Sequence, residues 1–228
     1  IKTKQNIAST LAYLGGMLYP QQAASQLPVE VLLEQPIAQN TIILDCCAAP
    51  GSKTTQLAQN LPQATIIAND MSKQRAKKIV FNAERLGLSN ITVTHQPAQS
   101  MQAQHVDAII VDAPCSGNFT LEKNWFAKRS LIDIENKAKI QKQILAHQWS
   151  LLKQGGFLIY STCSLEMEEN EQVVEWFIDQ YPQAQLLPIQ KKQYIGSDGL
   201  TPKTKNCMRM WPAQHNTQGF FIALFTKK

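Results

Sequence analysis

The sequence predicts an α/β domain built on a doubly wound, mostly parallel sheet. Two observations predict it. Short runs of branched aliphatic residues recur along the chain, separated by stretches with helical periodicity. Those runs also end on residues able to do chemistry, among them Asp70, Asp112 and Cys163. Strands end this way when their carboxyl ends border a ligand crevice.

The elements follow in chain order. "TIILDCC" (41–47) is a short apolar run and reads as a buried strand. "KTTQLAQNL" (53–61) reads as a helix and "TIIAND" (65–70) as a second strand. Ser72 suits the N-cap of "KQRAKKIVFNAERLG", and Gly87 ends that helix. "ITVTH" (91–95) and "VDAIIVDAP" (106–114) are the third and fourth strands. A long helix is expected from about Leu131 to Lys153, stopped by Gly155 and Gly156, with "FLIYSTC" (157–163) as the fifth strand. "EENEQVVEWFIDQY" (168–181) is amphipathic and helical, and "FFIALFTK" (220–227) is a closing strand. Residues 1–35 break this rhythm and read as an N-terminal extension packed on the domain at residues 36–228. There is no internal repeat and no low-complexity linker.

Composition narrows the function classes. The 228 residues suit one large domain, and 44% hydrophobic content supplies a sizeable core. No apolar run of roughly 18 residues exists, so no membrane span is expected. "IKTKQNIAST" lacks the apolar core of a signal peptide, and a chain opening on Ile1 fits a piece of a longer protein. The balance of 22 Lys+Arg against 17 Asp+Glu gives +5, which permits an acidic partner such as nucleic acid without requiring one. The cysteines Cys46, Cys47, Cys115, Cys163 and Cys207 are odd in number and form no C-x-x-C pair. This argues against a disulfide framework and against zinc, and for a reducing cytoplasm. The four histidines are scattered, so no metal is expected.

The loop "CAAPGSKTT" is a near miss to two phosphate-binding loops. A Walker A loop would need glycines where Cys47 and Ser52 stand, and of the dinucleotide fingerprint only Gly51 is present. What remains is a tight strand-to-helix turn of small residues. Pro50 fixes one φ angle, and Gly51 allows close backbone approach. The helix start at Ser52 and Lys53 offers N–H groups to an anion, and Asp70 suits the hydroxyls of a ribose. Together these suit a nucleoside with an anionic tail, S-adenosylmethionine better than a nucleotide. An ordinary turn with an N-capping acid is the other reading of the same residues.

Two further stretches, "DAPCSG" (112–117) and "YSTCSLEMEENE" (160–171), place Pro-Cys and Thr-Cys at the ends of two strands. With "LDCCAAPGSKTTQLA", they make the chain resemble the RNA cytosine-C5 methyltransferase family, the NOL1/NOP2/Sun family. "GMLYPQQAASQLP" (16–28) and "RMWPAQHNTQGFFIALFTKK" extend the likeness over nearly the whole chain. The resemblance implies a Rossmann-like sheet of the class I methyltransferase type and S-adenosyl-L-methionine as cofactor. It places the donor against Cys47, Ala48, Ala49, Pro50, Gly51, Ser52, Lys53, Asp70 and Asp112. It makes Cys163 the nucleophile and Cys115 the residue that helps release product. RNA is the implied partner, ribosomal RNA ahead of transfer RNA, with the enzyme a monomer.

Chemistry supports this division. Cytosine C5 is a poor nucleophile until a thiolate adds at C6, and a base must later remove the C5 proton. Asp112 is placed to hold the base edge. Lys53 is placed to stabilise developing charge or to lower a thiol pKa.

One departure stands out. The family usually carries an acid just after the third strand, where Pro97 stands here; either adenine binding is weaker, or Gln96 or Gln99 substitutes. Arg75, Lys77 and Lys78 lie on one helix and read as a solvated face, with contact of Arg75 to the donor's carboxylate as the other reading. Trp125, Phe126, Lys128 and Arg129 mix aromatic and basic side chains, as a groove for single-stranded RNA does, with core packing of the two aromatics as an equal reading. "EMEENE" (166–171) reads as a helix start with acids favoured by the dipole. Two alternatives stay open: a non-catalytic RNA-binding relative, and a DNA cytosine-C5 methyltransferase with Cys115 as nucleophile.

Overall fold

The structure is a computed structural model that describes residues 6–190 and 196–228. Residues 1–5 of the expected extension lie outside the described residues. The strands are β1 (Ile42–Asp45), β2 (Thr65–Asn69), β3 (Ile91–Thr94), β4 (Val106–Asp112), β5 (Leu152–Thr162), β6 (Ala184–Leu187), β7 (Ser197–Asp198), β8 (Met208–Met210) and β9 (Phe220–Lys227). The helices are α1 (Leu11–Leu14), α2 (Ala23–Leu33), α3 (Ser52–Asn60), α4 (Lys73–Arg85), α5 (Trp125–Lys128), α6 (Leu131–Leu151), α7 (Glu171–Gln180) and α8 (Pro212–His215).

One sheet runs β3-β2-β1-β4-β5-β9-β8-β7, with β6 also paired to β9. The first five strands pair in parallel. The closing strand β9 is antiparallel to β5, β6 and β8. This is the doubly wound arrangement the sequence predicts, with an antiparallel edge added. Strand order reverses between β1 and β4, and the crevice belongs at their carboxyl ends.

Both faces of the sheet are covered, which explains the unbroken apolar runs. Alternate residues enter opposite cores. Leu44, Ile109, Leu158 and Tyr160 pack with Ile144, Trp149, Val173 and Phe177 of α6 and α7. Ile43, Ile110, Ile159 and Ile222 pack with Val29, Leu32, Leu57 and Ala58 of α2 and α3. Helix α2, from the predicted extension, therefore builds one of the two cores.

Local signals hold in α4. The Arg75 N–H donates to Ser72 Oγ at 3.3 Å, and Gly87 takes φ 68° just past the helix. The expected glycine stop after α6 is corrected. The helix ends at Leu151 and β5 begins at Leu152, whose side chain is buried. Pairing then jumps from Val106↔Leu152 to Ala108↔Phe157, leaving residues 153–156 in a bulge. Gly155 (φ 74°) turns that bulge, and a Cβ on Gly156 would meet the Asp107 carbonyl at 2.7 Å. Burial of Leu152 against the sheet, rather than helix capping, sets this boundary.

Candidate active site

The loop after β1 turns tightly into α3. The Ala48 N–H donates to the Asn69 carbonyl at 2.8 Å, and the Gly51 N–H to the Ala48 carbonyl at 2.7 Å. Gly51 is the N-cap of α3 at φ 105°, and α3 has no side-chain cap. A Cβ at Gly51 would meet Ile79 Cα at 3.3 Å, so α4 presses directly against the turn. The N–H groups of the first turn of α3 are thus available to an anion.

Asp70 stands just past β2 and is buried. Its Oδ1 accepts from the Ser72 N–H at 2.9 Å, and its Oδ2 lies 3.2 Å from Arg75 Nη2. Arg75 Nη2 also donates to the Ala49 carbonyl at 3.1 Å. Arg75 therefore clips Asp70 to the loop, a contact the sequence does not announce. Asn69 was also missed. It donates to the Cys46 and Gln96 carbonyls and accepts from Thr94 Oγ1 and the Gln96 N–H. It joins the tips of the first three strands.

Near Pro97, the Gln96 side chain is occupied in its own loop, accepting from the Gln102 N–H at 2.9 Å. Pro97 and Gln99 are exposed. The expected substitution of Gln96 for the absent acid is not what its contacts indicate.

Lys53 is buried beside the loop. Its Nζ donates to Asp112 Oδ2 at 2.6 Å and to Ser25 Oγ at 3.1 Å, and sits 5.4 Å from the Phe220 ring centroid. Asp112 Oδ1 accepts from Ser161 Oγ at 2.8 Å. These contacts follow from register, since Asp112 lies opposite Ser161 in the β4–β5 pairing. Ser25 comes from α2, so the N-terminal segment contributes to this network.

Deeper in, Asp45 is fully buried. Desolvation raises its carboxyl to about 7, although Thr54 Oγ1 donates to its Oδ2 at 2.7 Å and Lys53 lies nearby. Its Oδ1 has no partner.

Beyond the same two strand ends lie the thiols. Cys115 Sγ is 3.1 Å from Cys163 Sγ. Hydrogen bonding to Cys163, with burial next in weight, raises the Cys115 thiol well above the ordinary range. The Cys163 loop is pinned by Asn118, whose Nδ2 donates to the Cys163 carbonyl, and by Thr162 Oγ1, which donates to Asn170 Oδ1 at 2.6 Å. Neither asparagine was singled out from the sequence.

Of the acids of "EMEENE", Glu171 stands in the first turn of α7 as the helix-start reading expects, but burial adds a second role. Glu169 and Glu171 are fully buried. Glu171 pairs with the buried Arg209, whose Nε donates to its Oε1 at 2.6 Å. Glu169 accepts from the Ser116 N–H at 3.0 Å, from Ser164 Oγ at 2.8 Å and from Gln141 Nε2 at 2.7 Å. Buried acids look like surface acids when periodicity alone is read.

The aromatic and basic cluster divides. Trp125 is buried, and its Nε1 donates to the Ser116 carbonyl at 3.1 Å. Phe126 is 72% exposed and stacks on Phe119 at 5.7 Å. Lys128 pairs with Glu122 and Arg129 with Glu166, so neither cation is free of an acid. A cavity of about 290 Å³ lies between this cluster and Cys115, lined also by Ser116, Asp133 and Lys137.

Among the described residues, no group of His, Cys, Asp or Glu is placed to hold a metal ion, and no helix is long and apolar enough to cross a membrane. The structure thus brings Lys53, Asp112, Cys115 and Cys163 to the carboxyl ends of β4 and β5, with Asp70 and the Cys47–Lys53 loop beside them.

Known proteins match this chain in sequence and in fold. A family model described as 16S rRNA methyltransferase RsmB/F matches residues 31–226. Ribosomal RNA small subunit methyltransferase F of Klebsiella pneumoniae (strain 342) is 37% identical over 233 residues, covering 97% of this chain and 47% of that protein. The chain spans about half the length of the curated relatives it matches. The crystal structure of NSun6 from Pyrococcus horikoshii with SFG matches with a TM-score of 0.88 at 34% identity, over 98% of this chain and 56% of that one. A methyltransferase homolog protein from the same organism matches at 0.85 with 34% identity, over 99% and 73%.

Proposed function

The chain belongs to the 16S rRNA methyltransferase RsmB/F family, and from that membership we propose that it methylates C5 of a cytosine in RNA, with S-adenosylmethionine as donor. Ribosomal RNA is favoured over transfer RNA because the family description and the Klebsiella relative both name it. The observation that carries the reading is the pair of sulfurs 3.1 Å apart at neighbouring strand ends.

The residues present suit the cofactor. The uncapped first turn of α3 fits a carboxylate, and Gly51 brings the backbone close without a side chain. Asp70 has spare acceptor capacity for ribose hydroxyls, because a carboxylate offers about four lone-pair directions. SFG, the group named with the NSun6 structure, is an analogue of S-adenosylmethionine. When bound, S-adenosylmethionine supplies an electrophilic methyl group.

The chain's own residues do the rest. Cys163, as thiolate, adds to C6 of the cytosine. The S–C6 bond forms, and the electrons of the C5–C6 double bond shift toward C5, which becomes nucleophilic. Asp112, held by Lys53 and Ser161, is placed to bind the base edge. Cys115 keeps its proton while Cys163 is anionic. Once Cys163 is a neutral thioether, one reason for Cys115 to hold that proton is gone. Once the C5 electron pair has bonded to the transferred methyl group, Cys115 ionises to solvent and takes the remaining proton from C5. The C–H electrons rebuild the C5–C6 double bond, the S–C6 bond breaks, and Cys163 leaves as thiolate.

The division into an extension (residues 1–35) and a catalytic domain (residues 36–228) is part of this proposal. Its support is α2, which lies on the sheet and sends Ser25 to Lys53. The test is direct. The purified protein is incubated with a 16S rRNA transcript and methyl-labelled S-adenosylmethionine, and the RNA is digested to nucleosides. Label in 5-methylcytidine is expected. Label in another nucleoside, or none while the cofactor binds, overturns the reading.

A further inference from the structure

We propose that Glu169 is a positioning residue that sets the separation of the two reactive thiols. The proposal rests on the two-thiol reading above. It begins from sequence adjacency: Ser116 follows Cys115, and Ser164 follows Cys163. Both serines bind one carboxylate. Glu169 accepts from the Ser116 N–H at 3.0 Å, from Ser116 Oγ, and from Ser164 Oγ at 2.8 Å. The serine hydroxyls themselves lie 3.4 Å apart. Gln141 of α6 donates to the same carboxylate at 2.7 Å and to the Pro114 carbonyl at 3.0 Å, which ties the Cys115 loop to the long helix.

The clamp is itself anchored. Tyr160 Oη donates to the Glu169 carbonyl, and Asn170 Nδ2 donates to the Ser164 carbonyl at 3.0 Å. Glu169 is fully buried, and among the described residues no cation pairs with it. Burying an unpaired carboxylate is costly. Here the Ser116 N–H, both serine hydroxyls and the Gln141 amide donate to it, and the two carboxylate oxygens accept from all four. A glutamine would turn an amide NH₂ toward at least one of those donors, and the loops would part.

The test reads thiol separation apart from methylation. Diamide takes two electrons and two protons from a thiol pair and leaves one S–S bond. Its rate of forming the Cys115–Cys163 cross-link, followed by peptide mass spectrometry, should fall at least tenfold in Glu169→Gln. S-adenosylmethionine affinity should stay within twofold, and methylation should fall at least a hundredfold. Cross-linking at the wild-type rate in a folded Glu169→Gln protein overturns the proposal. Slow cross-linking with unchanged methylation supports the clamp and overturns the two-thiol reading instead. If Glu169→Gln does not fold, Ser116→Ala and Ser164→Ala each remove one arm. Both should slow cross-linking severalfold, and wild-type rates in both overturn the proposal.

Discussion

Cys115 and Cys163 place their sulfurs 3.1 Å apart although 48 residues separate them. The parallel pairing of β4 with β5 causes this. Asp112 lies opposite Ser161, and Cys115 and Cys163 follow these paired residues by three and two positions. If attack and release are divided between them, their variants should differ on a denaturing gel with RNA. Cys163→Ala should form no covalent adduct and no product. Cys115→Ala should accumulate RNA joined through Cys163, and the double variant should show none. An adduct lost in Cys115→Ala but kept in Cys163→Ala would move the nucleophile to Cys115.

Lys53 and Asp112 form the ion pair beside the thiols, and Asp112 keeps 30% side-chain exposure. Lys53→Ala should cost about 2–3 kcal/mol, less than a fully buried pair, because water reaches the abandoned carboxylate. Urea unfolding measures this. Methylation should fall at least ~100-fold under conditions where the variant stays folded. A folded Lys53→Ala enzyme with wild-type turnover would remove this pair from the mechanism.

Asp70 is expected to bind the donor's ribose. Asp70→Ala should weaken S-adenosylmethionine binding by roughly 1–3 kcal/mol, or about 5- to 150-fold in Kd. Arg75 loses its ionic partner in the same variant, so thermal unfolding is recorded alongside. Unchanged affinity by calorimetry, with the fold intact, would take Asp70 out of the site.

Asp45 gives a pH signature. Burial raises its carboxyl from 3.8 to about 7 in the folded protein. An acid raised by folding stabilises while protonated. That contribution is complete below about pH 4 and is lost as pH rises through about 7. Three pKa units correspond to roughly 4 kcal/mol. Asp45→Asn, which cannot ionise, should match the wild type in Tm below about pH 4, pull ahead of it progressively between about pH 4 and 7, and exceed it by several degrees at pH 8. Parallel Tm profiles for the two proteins would show that Asp45 titrates near its ordinary value.

The amino-acid sequence by itself determined the strand–helix alternation, the parallel sheet, the crevice at its carboxyl ends and the four residues gathered there. Those features rest on local signals: apolar runs, a Ser72 cap, a Gly87 stop, and small residues at the turn after β1. Only the tertiary structure decided what depends on neighbours distant in the chain. The bulge at Gly155 depends on where β4 lies, and the network on Lys53 depends on α2 delivering Ser25. No local signal in the sequence announces the burial of Glu169, Glu171 or Asn118, yet packing turns each inward. A polar residue's role is set by its partners, and partners such as Arg209 for Glu171 or Ser116 for Glu169 come from across the fold. Apolar periodicity shows which way a strand or helix faces, but it holds no record of which donor meets which acceptor.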